Sequence, residues 1–372
     1  MDGRSTTWVT GEATPEQRRR WDRFVASVEQ SDVAQLSPWA RIRSSAGFSP
    51  LYTFVSVDGE LVAGAQVLVR RIPLVGSVGY LSYGPVIADG LADRPGVCAD
   101  VCRGVHTLMA KGHMRLLFVQ PPVGGEDASA GLAALGFRPS DAGIAPPASL
   151  RIDLTSSQDE LRGRLNKRLR TWTTRWAERG VTVRVGGDED LPLLADLLAR
   201  SAEHQGFEPI ALDYLRQQYG ELAPEGNAVL FVGEVHDKPV AVDLFTACGG
   251  VLRDRLIGLD RDSEASNLSV PGAIKWNALL WAKENGFRWF DFGGVRIDVA
   301  RTLIAGQPLD QDTVTGSDRF KLSFGGEAYV LPLAVELARP RQLFRPYDLA
   351  RRSERGRALL GTIRRRLRGG RR

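Results

Sequence analysis

A mixed α/β fold built twice over is what this chain predicts, and three observations carry the reading. Apolar stretches of strand length alternate with segments of helical periodicity. A hairpin, a helix and an apolar strand occur in the same succession twice. The 372 residues exceed one typical core and fit two domains, and a composition of 43% hydrophobic and 25% charged residues excludes a disordered or fibrous chain.

The elements follow in order. The N-terminal run MDGRSTTWVTGEATPEQRRRW has no apolar core for export, and no window approaches the roughly 20 apolar residues of a membrane span. Residues 51–71, LYTFVSVDGELVAGAQVLVRR, form a hairpin pattern turning at Asp58-Gly59. A helix follows that stops at Gly112, and then the apolar strand MRLLFVQ. Cys98 and Cys102 fall on one face of that helix, where packing explains them better than zinc, which needs more ligands. With Cys248 they make a sparse, odd set of reduced thiols, so a cytoplasmic location is expected.

The strand PPASLRIDL closes the first copy, and the second opens at Ser157, whose spacing to Glu160 is that of a capping box. The helix so started is densely basic, with Arg162, Arg164, Lys167, Arg168, Arg170 and Arg175. It is either a solvated face or a surface for an anionic partner such as RNA backbone. Residues 228–247 repeat the hairpin, with a turn near Asp237-Lys238, and a second helix stops at Gly286 before RWFDFGG. Turn to glycine stop spans 54 residues in one copy (58 to 112) and 49 in the other (237 to 286), which argues for duplication. The last 22 residues, with ten arginines and one glutamate, carry +9; the other 350 are therefore net −4 of the overall +5. Leu359, Ile363 and Leu367 give this tail one apolar stripe, so it is expected as a basic helix that docks on the body or meets nucleic acid or an anionic membrane.

The chemistry is narrowed by what the sequence does not contain. Its four histidines fall in no ligand spacing, and there is no Walker loop, GxGxxG or GxSxG. An enzyme of this kind would position two substrates and stabilise developing charge while an activated donor reacts. Two clusters suit that role: FDFGGV at 290–295 and FKLSFGGE at 320–327. Their paired glycines mark bends or close approach in what the alternation of aromatics predicts to be strands, and Lys321 supplies a cation between aromatics.

Those two clusters resemble the closing signature of the Fem family (FemABX), aminoacyl-tRNA-dependent peptidyltransferases built from two acetyltransferase-like (GNAT) domains. SPWARIR at 37–43, VLVRRIPLVGSVGYLSYGPV at 67–86, GLAALGF at 131–137, residues 151–181 and VPGAIKWNALLWAKENGF at 270–287 resemble Fem segments in the same order, so the likeness spans about 37 to 335. It implies an acceptor-side GNAT-like domain over 1–155, a catalytic, donor-side one over 156–335, and a basic C-terminal helical tail over 336–372, with no long helical-arm insertion. The implied reaction takes an aminoacyl group from charged tRNA and forms an amide on an amine, either a peptidoglycan precursor or a small amine or peptide in antibiotic assembly.

By resemblance Lys321, beside Phe320, sits at the reaction centre, stabilising the oxyanion or gripping the tRNA's terminal adenosine, with Asp291 at hand as a carboxylate partner. Phe324 walls the site or belongs to the core. Trp39, Arg43, Tyr83 and Arg170 would meet the acceptor, and Arg164, Lys167 and Arg168 the tRNA. Tyr83 stands where the family usually has arginine, which favours a less charged acceptor. No cofactor or metal is expected, and the [RQ]xxGx[GA] loop that would hold the pyrophosphate of acyl-CoA does not occur. A non-catalytic scaffold on the same fold is the remaining reading.

Overall fold

The computed structural model describes residues 5–73, 75–205, 209–310, 314 and 316–340. The arginine-rich tail therefore lies outside the described residues. The chain divides into two compact units, one made of the residues up to Ala145 together with those from Leu331, the other of Pro146–Val330.

In the first unit, β1 (Ser5–Thr10) is followed by α1 (Pro15–Ser27) and α2 (Ser37–Ser44). The expected hairpin is β2 (Phe48–Val57) and β3 (Glu60–Ile72), and both turn residues, Asp58 and Gly59, have positive φ as a tight two-residue turn requires. After β4 (Gly76–Ser82) and the short β5 (Val86–Ile87) comes α3 (Arg94–Lys111), capped by the Asp93 carboxylate, which accepts from Gly96 N at 2.9 Å. Then β6 (Met114–Gln120), α4 (Glu126–Ala134) and β7 (Arg138–Pro139) complete it. Helices α3 and α4 cover one face of the sheet over a core that includes Val67, Val101, Leu108 and Leu117, and Cys98 and Cys102 are part of it. The other face packs Phe48, Leu68, Val78 and Phe118 against Ala40 and Trp39 of α2.

The second unit opens with β8 (Ala148–Asp153), then α5 (Gln158–Arg164), α6 (Lys167–Arg175), β9 (Val181–Gly186), α7 (Leu191–Gln205) and α8 (Leu212–Leu222). Its hairpin is β10 (Ala228–Val235) and β11 (Lys238–Cys248), turning at His236-Asp237, one residue before the expected position. Next come β12 (Val251–Leu259), α9 (Val270–Glu284), β13 (Trp289–Asp291), α10 (Ile297–Ile304), α11 (Gly316–Leu322) and β14 (Glu327–Val330). The last strand, β15 (Val335–Ala338), belongs to the sheet of the first unit.

The sheet orders match place for place. The first unit runs β1-β2-β3-β4-β6-β15-β7 and the second β9-β10-β11-β12-β13-β8-β14. In each, a parallel pair, β4·β6 or β12·β13, sits beside an antiparallel strand, β15 or β8. Those two strands are exchanged. β8 follows β7 in the chain but joins the second sheet, and β15 follows β14 but joins the first. The expected boundary at 155/156 is therefore displaced to 145/146, residues 331–335 leave the second domain for the first unit, and residues 336–338, expected in a helical tail, belong to a strand of the first sheet. Buried alternation shows that PPASLRIDL is a strand but not which sheet takes it.

Two further expectations change. The basic helix is two helices: the Ser157–Glu160 capping box starts α5 as expected, but Asn166 starts α6 anew, its Oδ1 accepting from Leu169 N at 2.9 Å. Arg164, Arg168 and Arg175 thus do not share one continuous face. FKL belongs to a helix, α11, and not to a strand. No helix of the described residues is long and apolar enough to cross a membrane, and the longest has 18 residues.

Candidate functional site

The site is built where two parallel strands of the second unit part. β12 and β13 pair over three residues, ending at Arg253↔Asp291. β12 continues along β11 to Leu259, whereas the chain after Asp291 follows β8, with Phe292 N donating to Leu150 O and Val295 N to Ala148 O. The turn Phe292–Gly294 occupies the fork so formed, at the carboxyl ends of the parallel strands, the place where open α/β sheets bind ligands. Gly293 has φ +77°, and a Cβ there would lie 2.3 Å from the Asp254 carbonyl oxygen, so only glycine lets the turn lie this close to β12.

Asp291 holds the turn. Its buried carboxylate accepts from Ser149 Oγ at 2.7 Å, from Gly293 N at 2.7 Å and from the Tyr329 hydroxyl, with Arg253 at 3.6 Å. The expected catalytic role is thereby corrected: with these partners Asp291 is a structural clamp, and no hydrogen bond joins it to Lys321. Lys321 instead donates through Nζ to the Gly294 carbonyl oxygen at 2.5 Å, so the two glycine-ended clusters do meet. The lysine is half-buried, and burial holds its pKa below the ordinary lysine value. Asp254, Asp318 and Asp291 pull the other way, and Lys275 adds to the depression.

Aromatic rings back this arrangement. Phe320 lies edge-on to Phe324 at 5.5 Å and Phe292 edge-on to Phe290 at 5.0 Å, with Phe324 tilted against Phe292 at 5.1 Å between them. Phe320 is half-buried beside Lys321, but Phe324 is only 1% exposed, so it is core and offers no wall to a substrate.

Sequence reasoning missed the charges beneath the fork. Lys275 of α9 is 2% exposed, and its ammonium lies against the Asp243 carboxylate of β11 and 2.7 Å from Asp254 Oδ2 of β12. Burial opposes the charge of Lys275, yet the two carboxylates offset this and its pKa stands above the ordinary lysine value. Burial pushes the Asp243 carboxyl well above the carboxylate range. A signal existed: lysine inside VPGAIKWNALLW and aspartate inside AVDLFTA are charges in otherwise apolar runs, which demand buried partners.

The α5–α6 junction packs on the segment after Lys321. Asn166 N donates to Ser323 O at 2.8 Å, and a Cβ on Gly325 would lie 2.4 Å from Arg164 O. Arg164, Lys167, Arg168 and Arg170 are exposed around this junction; Arg164 donates to Ser156 Oγ at 2.9 Å and Arg170 to Gly163 O at 3.2 Å. A cationic surface therefore borders the segment that carries Lys321.

The remaining candidates lie in the first unit. Arg43, expected to meet acceptor phosphates, is only 2% exposed: its Nε donates to the Tyr80 hydroxyl at 3.0 Å and its guanidinium sits 4.8 Å from the Phe48 ring centre. It is a core cation and not a surface one. Trp39 packs half-buried on the same cluster, and Tyr83 is buried, with φ +54°, just before the cis Gly84-Pro85 bond.

Comparison with known proteins agrees with this geometry. Residues 161–321, which contain the fork and Lys321, match the family model described as an acetyltransferase (GNAT) domain. A lipid II:glycine glycyltransferase of Staphylococcus saprophyticus is 28% identical over 236 residues, 60% of this chain and 56% of that protein. One from Staphylococcus aureus is 28% identical over 229 residues, 58% and 53% respectively. The chain spans about half the length of the curated relatives it matches. Among solved structures, FemX superposes with a TM-score of 0.77 at 18% identity, over 92% of this chain and 99% of FemX. The C-terminal domain of a putative lysylphosphatidylglycerol synthetase from Agrobacterium fabrum gives 0.54 at 16% identity, over 89% and 95%. Both share the fold. With matched sheets, a second unit that matches the GNAT domain model and the FDFGGV and FKLSFGGE clusters joined at one fork, the chain is similar in sequence to lipid II:glycine glycyltransferases and shares its fold with FemX.

Proposed function

We propose that the protein is an aminoacyltransferase that takes the aminoacyl group from a charged tRNA and forms an amide on an amine of a peptidoglycan precursor. The observation that carries the reading is the Lys321 ammonium set on the Gly294 carbonyl at the fork, beside the exposed basic residues of the α5–α6 junction. The lipid II:glycine glycyltransferase relatives supply the acceptor class. The acceptor's neutral amine attacks the ester carbonyl carbon, forming the C–N bond and a tetrahedral oxyanion. Collapse breaks the ester C–O bond, and the tRNA's ribose oxygen leaves with a proton that originates on the amine. Lys321 donates to the oxyanion, and charge stabilisation in a half-buried site is worth more than in water. Arg164, Lys167, Arg168 and Arg170 pair with backbone phosphates of the tRNA's acceptor end. An activated ester donor needs no CoA and no metal.

A second acceptor class, a small uncharged amine, is favoured by the buried Tyr83, which brings no cation to the turn before Gly84-Pro85. The test offers labelled aminoacyl-tRNAs with both acceptor classes, with and without ribonuclease. Label enters an amide only while the RNA is intact, and Lys321→Ala lowers turnover by roughly 10²–10³-fold. A folded Lys321→Ala protein with normal turnover removes the lysine from the mechanism.

A further inference from the structure

The charges of the first unit are sorted toward opposite ends of its sheet. The connections that follow β2 and β6 hold Asp58, Glu60, Glu126 and Asp127, and the loop from β5 to α3 holds Asp89 and Asp93. The connections into the amino ends of β2, β4 and β6 (45–47, 73–75 and 112–113) hold no acidic residue. Indeed the stretches 37–57, 61–88 and 101–125 contain none. Glu12, two residues beyond the edge strand β1, stands at the margin of this end. Basic residues occupy it instead. Arg70 pairs with Phe48 at the end of the β2·β3 ladder, and Arg71 pairs with Ser77 of β4. A Cβ on Gly76 would lie 2.8 Å from Arg115 Cγ, so Arg115 of β6 reaches across to the β3–β4 turn, and Lys111 closes α3 just before β6. Arg71 and Arg115 are exposed, and neither side chain has an ion-pair or hydrogen-bond partner among the described residues. The chain also leaves the body here. Arg339 N donates to Arg115 O at 2.9 Å, and beyond Pro340 runs the segment, outside the described residues, whose last 22 residues carry +9.

We propose that this end of the first unit's sheet, together with the tail that leaves from it, is a docking surface for a bilayer rich in anionic lipid. Charge alone would suit any polyanion, but two features favour lipid. The β3–β4 connection sets an exposed Pro73 and a half-buried Val75 beside Arg71, and the tail spaces Leu359, Ile363 and Leu367 four residues apart among its arginines. Aliphatic groups among cations fit a membrane interface, where apolar side chains enter the acyl boundary while the cations meet headgroups. A single-stranded nucleic acid asks for aromatic faces, and Phe48 and Tyr80, the rings that Arg70 and Arg43 contact at this end, are buried. Docking needs no transfer chemistry, so it is separable from the transferase reading.

The test is vesicle co-sedimentation. The probe is a vesicle of phosphatidylcholine with roughly a third phosphatidylglycerol, set against one of phosphatidylcholine alone. The full chain is expected to sediment with the first and not with the second, and to be released as salt is raised. A chain ending at Pro340 is expected to bind more weakly but still to bind. Arg71→Gln/Arg115→Gln lowers the partition coefficient by roughly tenfold to thirtyfold in either chain. Arg261→Gln/Arg301→Gln, at two exposed arginines of the second unit, removes the same net charge and is expected to lower it by less than about twofold. Equal losses in the two double variants reduce the effect to net charge and overturn the surface. A chain ending at Pro340 that no longer binds leaves the tail acting alone and overturns it too, as does a full chain that ignores phosphatidylglycerol. Titration with uncharged tRNA tests the other polyanion. If Arg71→Gln/Arg115→Gln weakens tRNA binding and spares vesicle binding, the surface is one for RNA and the proposal fails.

Discussion

The charge on Lys321 is a matter of balance at a single atom. Burial favours the neutral amine, whereas Asp254 and the Gly294 carbonyl favour the ammonium. Because the balance leaves the pKa below the ordinary lysine value, the amine loses its proton at a lower pH than an exposed lysine does. Transfer that depends on the ammonium is therefore fully present below the folded pKa of Lys321 and is lost as pH rises through it. The acceptor amine, which must be neutral to attack, works in the opposite sense and closes the acid side, giving a bell-shaped profile. Lys321→Arg carries a charge that does not titrate in this range. Its turnover is expected to be lower, because the fork is cut to a lysine, but its alkaline limb is expected to vanish. A profile of kcat/KM against pH for both proteins decides this, and an alkaline limb that persists in the arginine variant would assign it to some other group.

At the scale of elements, the break between α5 and α6 places the basic surface. Leu165 ends one helix and Asn166 caps the next, its own N–H taken by Ser323 O. The sign of one substitution tests this. In a continuous helix Asn166→Ala would stabilise by about 0.5 kcal/mol, since alanine is the better helix former. At a cap it costs about 1 kcal/mol, the outcome expected here in a denaturant titration. The sequence displays the start of α5, because Ser157 and Glu160 satisfy each other locally. It conceals the break, because Arg164 and Asn166 there meet Gly325 and Ser323, about 160 residues away in the chain. The same reasoning explains α11. Phe320, Leu322 and Phe324 alternate as a strand would, yet Phe320 and Phe324 are also one helical turn apart, and they meet edge-on in the aromatic stack. A spacing of four satisfies both periods, so only packing selects one. Lys321 stood out in the sequence as a cation among aromatics and glycines, and the structure sets its ammonium on the Gly294 carbonyl. The Lys275 cluster was visible only as isolated charges in apolar runs, since its three members come from one helix and two strands.

At the scale of the whole molecule, duplication was legible and exchange was not. Hairpin, helix and strand recur at similar spacing because each copy must build the same local pieces. The destinations of β8 and β15 are non-local, and a buried strand carries no address. β15 is short, but Val335 and Leu337 enter the core of the first unit, and the Glu336 carboxylate accepts from Arg138 at 3.1 Å and from Ser140 Oγ at 2.6 Å. It also provides β6 and β7 with their shared neighbour. A chain ending at Val330 would leave that place open and expose the edge of β6, whose central residues are fully buried. Two truncations separate this effect from any contribution of the basic tail. Ending at Pro340 keeps β15, and native-state hydrogen exchange of the β6 amides should match that of the full chain. Ending at Val330 removes it, and protection of β6 should fall while β10, β11 and β12 of the second unit keep theirs, since their sheet already holds β8. Protection lost equally in both sheets would mean that the units unfold as one. Protection lost in neither would mean that β15 only decorates an already stable sheet, and that the exchange is a feature of connectivity without weight in the stability of either unit.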